Sequence, residues 1–218
     1  MTTKEPEELI KMLELSGDYR VIKHFSKVYQ YPLPETEQDY RENKLTGIFI
    51  DTETTGLDYK KDKIIEIALI PFEYSEDGRI FTVGEGYNAF QDPGFRLDEQ
   101  ITSLTGITNE MLKGQVIDKT KLENIVMSAN LIVAHNSGFD RKFVEEQFPI
   151  FTQKPWGCSY VHVPWSKENI ASAKLEYLAY KFGQKIGPFL DKQGTKWGII
   201  IALIIILIAI GIYFLFLN

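Results

Sequence analysis

The chain has 218 residues, of which 44% are hydrophobic and 25% are charged, and its formal charge is −6. This length suits one α/β domain with additions, and the composition is that of an ordinary globular protein without a disordered tract. The single cysteine, Cys158, excludes an intramolecular disulfide and a cysteine-based zinc site. The net negative charge argues against a protein that coats nucleic acid through a broad basic surface.

The N-terminal part, residues 1–44, is predicted to combine a short helix with a polar connector. Residues 5–16 (EPEELIKMLELS) have the spacing of an amphipathic helix, with Pro6 suited to its first turn. Residues 29–43 (YQYPLPETEQDYREN) are polar and contain two prolines, which favours a connector. The main domain is predicted to cover residues 45–190.

The first half of this domain has the pattern of an antiparallel meander of three strands. The strand-like segments are GIFID (47–51), KIIEIALIPFEY (63–74) and RIFTVGEGYNAF (79–90). The tetrapeptide SEDG between the second and third segments is typical of a hairpin turn.

The second half changes to helix-length segments around short apolar runs. The helical segments are DEQITSLTG, TNEMLKG, KTKLENIVMSAN, GFDRKFVEEQF and SAKLEYLAYKFG, and the apolar run is LIVAH. A further short strand is expected near Cys158. The first strand, LIVAH and this short strand can pair in parallel once helices cross over, which predicts an α/β fold with a mixed sheet and flanking helices.

Carboxylates follow two of the predicted strands. Asp51 and Glu53 are two residues apart on a strand and therefore point to one face, and Asp140 lies in the first turn predicted after LIVAH. Ser137 is the expected cap of that helix. Ligands bind at the carboxyl ends of strands in open α/β sheets, and Mg²⁺ and Mn²⁺ prefer oxygen ligands. The three carboxylates could hold one or two divalent ions, the apparatus of phosphodiester hydrolysis.

These motifs resemble those of the DEDD-type (DEDDh) 3′-to-5′ exonucleases, a family of ribonuclease H-like fold that includes the proofreading epsilon subunit of bacterial DNA polymerase III and stand-alone bacterial relatives. FIDTETTGL resembles the first motif and HNSGFD the second, while LTGITNEML resembles the segment between them. The resemblance implies a hydrolase that acts on the 3′ end of single-stranded DNA or RNA with Mg²⁺ or Mn²⁺. It implies metal ligands at Asp51, Glu53 and Asp140. It also implies that the 3′-terminal nucleotide is surrounded by Thr54, Thr55, Leu57, Asn136 and Phe139.

Other polar residues near these motifs receive structural interpretations. His135 belongs to the second motif and is interpreted as orienting its loop, while His24 and His162 match no catalytic position. Glu66 is interpreted as the partner of a nearby donor.

The third motif of the family is absent after KLEYLAYKFG. The family supplies a general base there, either a His five residues before the last metal-binding Asp or a Tyr four residues before it. Asp191 is preceded at these positions by Ile186 and Gly187. The fold is therefore expected to be incomplete at its C-terminus, and hydrolysis is expected to fall, since a positioned general base contributes about 10²- to 10⁴-fold.

Residues 198–217 (GIIIALIIILIAIGIYFLFL) have no charged or amide side chain. Twenty residues of helix span roughly 30 Å, the thickness of the hydrocarbon core of a bilayer, so one transmembrane helix is predicted. Residues 191–197 form a basic linker before it, which places the folded part on the cytoplasmic side of a single-pass C-terminal tail anchor.

Two alternatives to an active nuclease stay open from the sequence. One is a non-catalytic, membrane-anchored module that binds nucleotides or nucleic acid, and the other is a truncated and inert relative. Both are motivated by the absent third motif.

Overall fold

A six-stranded mixed sheet organises the chain. The computed structural model describes residues 6–16, 44–76, 80–168, 170–175 and 177–178. At residues 6, 7, 10, 14 and 168 it describes the backbone alone. The helices described are α1 (Pro6–Leu15), α2 (Glu99–Thr105), α3 (Asn109–Leu112), α4 (Lys119–Ser128) and α5 (Asp140–Gln147). The strands described are β1 (Leu45–Thr54), β2 (Ile64–Tyr74), β3 (Ile80–Val83), β4 (Tyr87–Phe90), β5 (Leu131–Ala134) and β6 (Trp156–Cys158). Short 3₁₀ turns lie at Pro149–Gln153 and Trp165–Glu168.

The sheet combines an antiparallel and a parallel half, as predicted. The strand order is β3-β2-β1-β5-β6, and β4 also pairs with β2. Strand β2 pairs antiparallel with β1, β3 and β4, whereas β1, β5 and β6 pair in parallel. The parallel half brings the ends of β1 and β5 to the same edge, where the predicted carboxylates lie.

The prediction of one long strand over 79–90 is wrong, because the segment forms two strands. β3 pairs with Phe72–Tyr74 of β2 and β4 pairs with Glu66–Leu69. Pro71 lies between these two pairings and has no N–H to donate to an outer strand. Its carbonyl accepts the Gly84 N–H at 2.8 Å, and the outer strand breaks there.

Alternation along β1 sends neighbouring side chains into different cores. Ile48 and Ile50 pack with residues of α4 and α5 on one face, including Phe143. Phe49 packs on the other face with a second set of buried side chains: Phe72, Tyr74, Val133, Trp165, Ile170 and Leu178. Asp51 and Glu53 lie on the same face of β1 as Phe49, so their side chains come next to this second core along the strand.

The remaining predictions concern the N-terminal helix and the C-terminal segments of the chain. Helix α1 confirms the N-terminal helix, and its Leu9 and Leu13 are 48% and 40% exposed. No helix in the described ranges is long and apolar enough to cross a membrane. The predicted span 198–217 and the linker 191–197 lie outside the described residues, as does half of the helix predicted at 172–183, of which residues 175, 177 and 178 are described and helical.

Candidate active site

Strand β1 ends in two carboxylates that point to one face of the sheet. Asp51 is half-buried and Glu53 is 7% exposed. Glu53 lies directly opposite Glu66 of β2, which is also buried. Like charges directly opposite each other on a sheet repel, so a bound cation would stabilise this strand end.

The third carboxylate, Asp140, is the first residue of α5 and is 3% exposed. Its Oδ1 accepts hydrogen bonds from the Thr52 N–H at 2.9 Å and the Thr52 hydroxyl at 2.8 Å. β1 pairs with β5 only from Gly47 to Phe49, so the Thr52 N–H lies beyond that ladder and is available to Asp140. Asp140 thereby fastens the start of α5 to the end of β1.

The carboxylates line one pocket of about 450 Å³, which we call the carboxylate pocket. Its volume is within the range of small-ligand sites. The lining residues come from β1 and the loop after it, from α2 and from the turn before α5: Asp51, Thr52, Glu53, Thr54, Gly56, Leu57, Gln100, Ile101, Leu104, Thr105, His135, Asn136, Phe139 and Asp140.

All but one of the residues predicted for the site line this pocket. The exception is Thr55, whose hydroxyl donates to Asp62 at 3.1 Å and accepts the Lys63 N–H at 3.0 Å. Asp62 also accepts the Asp58 N–H at 2.9 Å, so these bonds shape the loop that carries Leu57. Leu57 itself is 86% exposed and forms part of the pocket wall.

The wall formed by α2 was not assigned from the sequence. Gln100, Ile101, Leu104 and Thr105 all line the pocket. The segment LTGITNEML indicated the family but no individual contact, because only the packing of α2 against the strand end determines which of its residues face the pocket.

The pKa of Asp140 differs from that of an ordinary surface carboxyl group. Burial and the nearby charge of Glu53 raise the pKa of Asp140 to about 7, although the two hydrogen bonds from Thr52 act in the opposite direction. A bound cation would relieve this repulsion, and carboxylate oxygens suit a hard divalent ion. Among the described residues, however, no three His, Cys, Asp or Glu side chains are arranged as a ready metal site. The donor chemistry fits a divalent ion, and the ligand cluster is not preassembled.

The second motif forms a tight turn. Asn136 has a φ of 61°, in the left-handed region that asparagine tolerates better than most residues, and its carbonyl accepts the Phe139 N–H at 2.9 Å. The prediction that Ser137 caps α5 is wrong. Phe139 occupies the cap position without a side-chain hydrogen bond, and the Ser137 N–H donates to the Cys158 sulfur at 3.3 Å.

Three of the four polar residues given structural interpretations have hydrogen-bond partners in the structure. Nδ1 of His135 lies 2.9 Å from the hydroxyl of Ser159, in agreement with a role in orienting the loop. Nδ1 of His162 accepts the Cys158 N–H at 3.1 Å on the exposed surface. Glu66 accepts a hydrogen bond from the Asn88 amide at 2.9 Å, while His24 lies outside the described residues.

Comparison with known proteins decides the family. The family described as exonuclease (RNase T) matches residues 48–185, well over half of the chain. The chain belongs to this exonuclease family. It is the DEDD family of ribonuclease H-like fold, which includes the epsilon and PolC forms of DNA polymerase III.

The chain matches only part of the length of individual members of the exonuclease family. It is similar to the epsilon subunit of DNA polymerase III from Aquifex aeolicus, with 36% identity over 110 residues, 49% of this chain and 52% of that protein. It is also similar to the PolC-type DNA polymerase III of Thermotoga petrophila, with 29% identity over 153 residues, 66% of this chain and 10% of that protein. The chain therefore spans about a tenth of its PolC relative and about half of its epsilon relative.

Solved structures of exonucleases agree on the fold. Escherichia coli exonuclease I in complex with a dT13 oligonucleotide matches with a TM-score of 0.55 and 15% identity, covering 79% of this chain and 42% of that chain. A zinc-bound form of the same enzyme with single-stranded DNA matches with a TM-score of 0.51. At this identity the likeness establishes the mixed sheet with flanking helices.

Proposed function

We propose that the chain is a metal-dependent 3′-to-5′ exonuclease that binds the 3′ end of single-stranded DNA or RNA in the carboxylate pocket. The observation that carries this proposal is the meeting of Asp51, Glu53 and Asp140 in one pocket with an apolar wall. The oligonucleotides bound to exonuclease I, whose fold is similar to that of this chain, support the choice of substrate.

Each side chain has a role that its position suits. Leu57 and Phe139 offer apolar surface to the terminal nucleoside, and Thr54 and Asn136 stand beside them in the lining. Asp51, Glu53 and Asp140 would hold Mg²⁺ or Mn²⁺, and Thr52 fixes the orientation of Asp140. A divalent ion bound there would stabilise charge on the phosphoryl oxygens and activate the attacking water.

The absent third motif limits the expected rate. The sequence contains three histidines, and none follows His162. We therefore expect slow turnover, lower by about 10²- to 10⁴-fold than for a site with a positioned general base. The assay needs a high concentration of the protein and a long incubation.

Replacing Asp51 with alanine should remove the remaining activity. The measurement is the Mn²⁺-dependent shortening of a 5′-labelled single-stranded oligonucleotide by the full chain. Loss of one ion ligand weakens a contribution of several kcal/mol, so the rate should fall by roughly 10²-fold or more. Glu85→Gln is the matched control, because Glu85 is an exposed acid outside the pocket lining, and it should keep the wild-type rate. Equal rates for wild type and Asp51→Ala would refute the proposal.

A second candidate function is a nucleotide-binding module without turnover. The spacing around Asp191, which matches neither form of the third motif, favours it. It predicts that thymidine monophosphate with Mn²⁺ raises the melting temperature of the full chain, because a ligand of the native state stabilises it. Such a shift without any shortening of the oligonucleotide would favour this module over the nuclease.

We also propose that residues 198–217 tether the protein to a membrane, with the folded part on the cytoplasmic side. The support is the sequence itself, an uncharged apolar segment of the length of a bilayer span. Flotation of the full chain with liposomes tests the tether. If the chain stays in the dense fraction and does not float with the liposomes, the proposed tether is wrong.

A further inference from the structure

Thr52 lies between two of the pocket carboxylates along the chain and is bonded to the third. It separates Asp51 from Glu53 on β1, and it is buried. Its N–H and its hydroxyl both donate to Asp140, at 2.9 Å and 2.8 Å. Thr52 is therefore placed to control how Asp140 meets an ion that Asp51 and Glu53 also bind.

Both of these hydrogen bonds end on the same carboxylate oxygen. Oδ1 of Asp140 accepts the two donors of Thr52, whereas Oδ2 accepts no hydrogen bond from another residue within the part of the chain that the structure describes. A carboxylate oxygen has about two lone-pair positions, and two donors fill those of Oδ1. Asp140 therefore offers an incoming cation one oxygen, Oδ2.

A carboxylate that binds through one oxygen discriminates between divalent ions. Mg²⁺ requires near-ideal octahedral geometry, and the two oxygens of one carboxylate are too close together to occupy two corners of a regular octahedron. Ca²⁺ has flexible geometry with more oxygen ligands, and it binds carboxylates through one or both oxygens. Withholding Oδ1 costs Mg²⁺ nothing and deprives Ca²⁺ of a ligand.

We propose that the Thr52 hydroxyl determines which divalent ion the carboxylate pocket prefers. By occupying Oδ1 it makes Asp140 a one-oxygen ligand, which favours Mg²⁺ over Ca²⁺. The inference rests on the proposed function and specifies the ion that it uses. Thr52 is a positioning residue, because it acts on the ion through Asp140.

Calorimetric titration of Mg²⁺ and of Ca²⁺ into the full chain at pH 7.5 tests this role. Thr52→Val removes the hydroxyl, keeps the β-branched shape that suits a strand and keeps the backbone N–H that donates to Asp140. Mg²⁺ binding should weaken by about tenfold, the lower end of the usual cost of removing a hydrogen-bond partner of a metal ligand. Ca²⁺ binding should weaken by less than about threefold, because the freed Oδ1 can join its ligands. Protonation of Asp140 competes with both ions alike, so it does not change the ratio of their affinities.

Three further variants isolate the hydroxyl. Thr52→Ser keeps it and should keep the wild-type ratio of the Mg²⁺ and Ca²⁺ affinities. Thr52→Ala removes it and should lower that ratio as Thr52→Val does, so serine and alanine repeat the comparison at a smaller size. Thr82→Val is the matched control, because the Thr82 hydroxyl donates to the carboxylate of Glu73 at 2.9 Å outside the pocket lining, and it should leave both affinities unchanged.

Failure of this inference is distinct from failure of the proposed function. If wild type binds Mg²⁺ and Thr52→Val changes the two affinities by the same factor, or changes neither, the hydroxyl does not select the ion and the carboxylate pocket survives. If Thr52→Ser lowers the ratio as much as Thr52→Ala does, the methyl group is responsible and the inference is again refuted. If wild type binds neither ion, the proposed function and the inference fall together.

Discussion

Replacing Phe72 with alanine should lower the free energy of unfolding by about 3–5 kcal/mol, as is usual for deletion of a large buried aromatic side chain. Phe72 is 1% exposed and stacks on Phe49 with ring centroids 4.4 Å apart. Its ring also covers Gly47, its partner in the β1–β2 ladder, so closely that a β-carbon on Gly47 would clash with it. The alanine variant leaves a cavity bounded by these rigid neighbours, and urea denaturation measures its cost.

An exposed apolar residue provides the control for this prediction. Met127 of α4 is 63% exposed, and Met127→Ala should change the free energy of unfolding by no more than about 0.5 kcal/mol. A loss below about 1 kcal/mol for Phe72→Ala would show that the ring is not packed as described.

The second large effect is a fall in stability between pH 4 and pH 7 in the absence of divalent ions. Burial and Glu53 raise the pKa of Asp140 to about 7 from an ordinary value of 3.8. The native state therefore holds a proton that the unfolded chain releases. The stabilisation is fully present below pH 3.8 and is lost as the pH rises to about 7. At 1.36 kcal/mol for each pH unit, the loss is roughly 4 kcal/mol.

The Asp140→Asn variant isolates this contribution, because asparagine keeps an oxygen that can accept the Thr52 N–H but does not titrate. Chemical denaturation in EDTA from pH 4 to pH 7.5 should show a steeper fall for wild type than for the variant. Parallel curves would mean that Asp140 ionises normally in the native state. Mn²⁺ at pH 7.5 should restore stability to wild type by binding the ionised form.

Periodicity predicted much of the sheet and of the site. The two-residue spacing of Asp51 and Glu53 predicted their common face. The helical segments before LIVAH allowed a parallel pairing of the first strand with LIVAH, and the structure confirms it as the pairing of β1 with β5. The helical pattern of the segment after LIVAH also predicted that Asp140 lies in the first turn of that helix, and α5 begins at Asp140.

Long-range contacts account for the predictions that were wrong. The strand break at Pro71 depends on which side of β2 the missing N–H faces, and only the pairing with β3 and β4 reveals that side. Ser137 does not cap α5 because the chain first turns through the left-handed conformation of Asn136. The bonds from Thr52 to Asp140 join residues 88 positions apart, so no local pattern could show them.

The measurement that tests the central claim most directly is calorimetric titration of Mn²⁺ into the full chain at pH 7.5, alongside Asp51→Ala and the control Glu85→Gln. Wild type and the control should bind at least one equivalent of Mn²⁺, and Asp51→Ala should bind it at least tenfold more weakly, a difference of about 1.4 kcal/mol. The absence of saturable binding to wild type, or equal binding by Asp51→Ala, would contradict the assignment of the carboxylate pocket as the site of a catalytic ion.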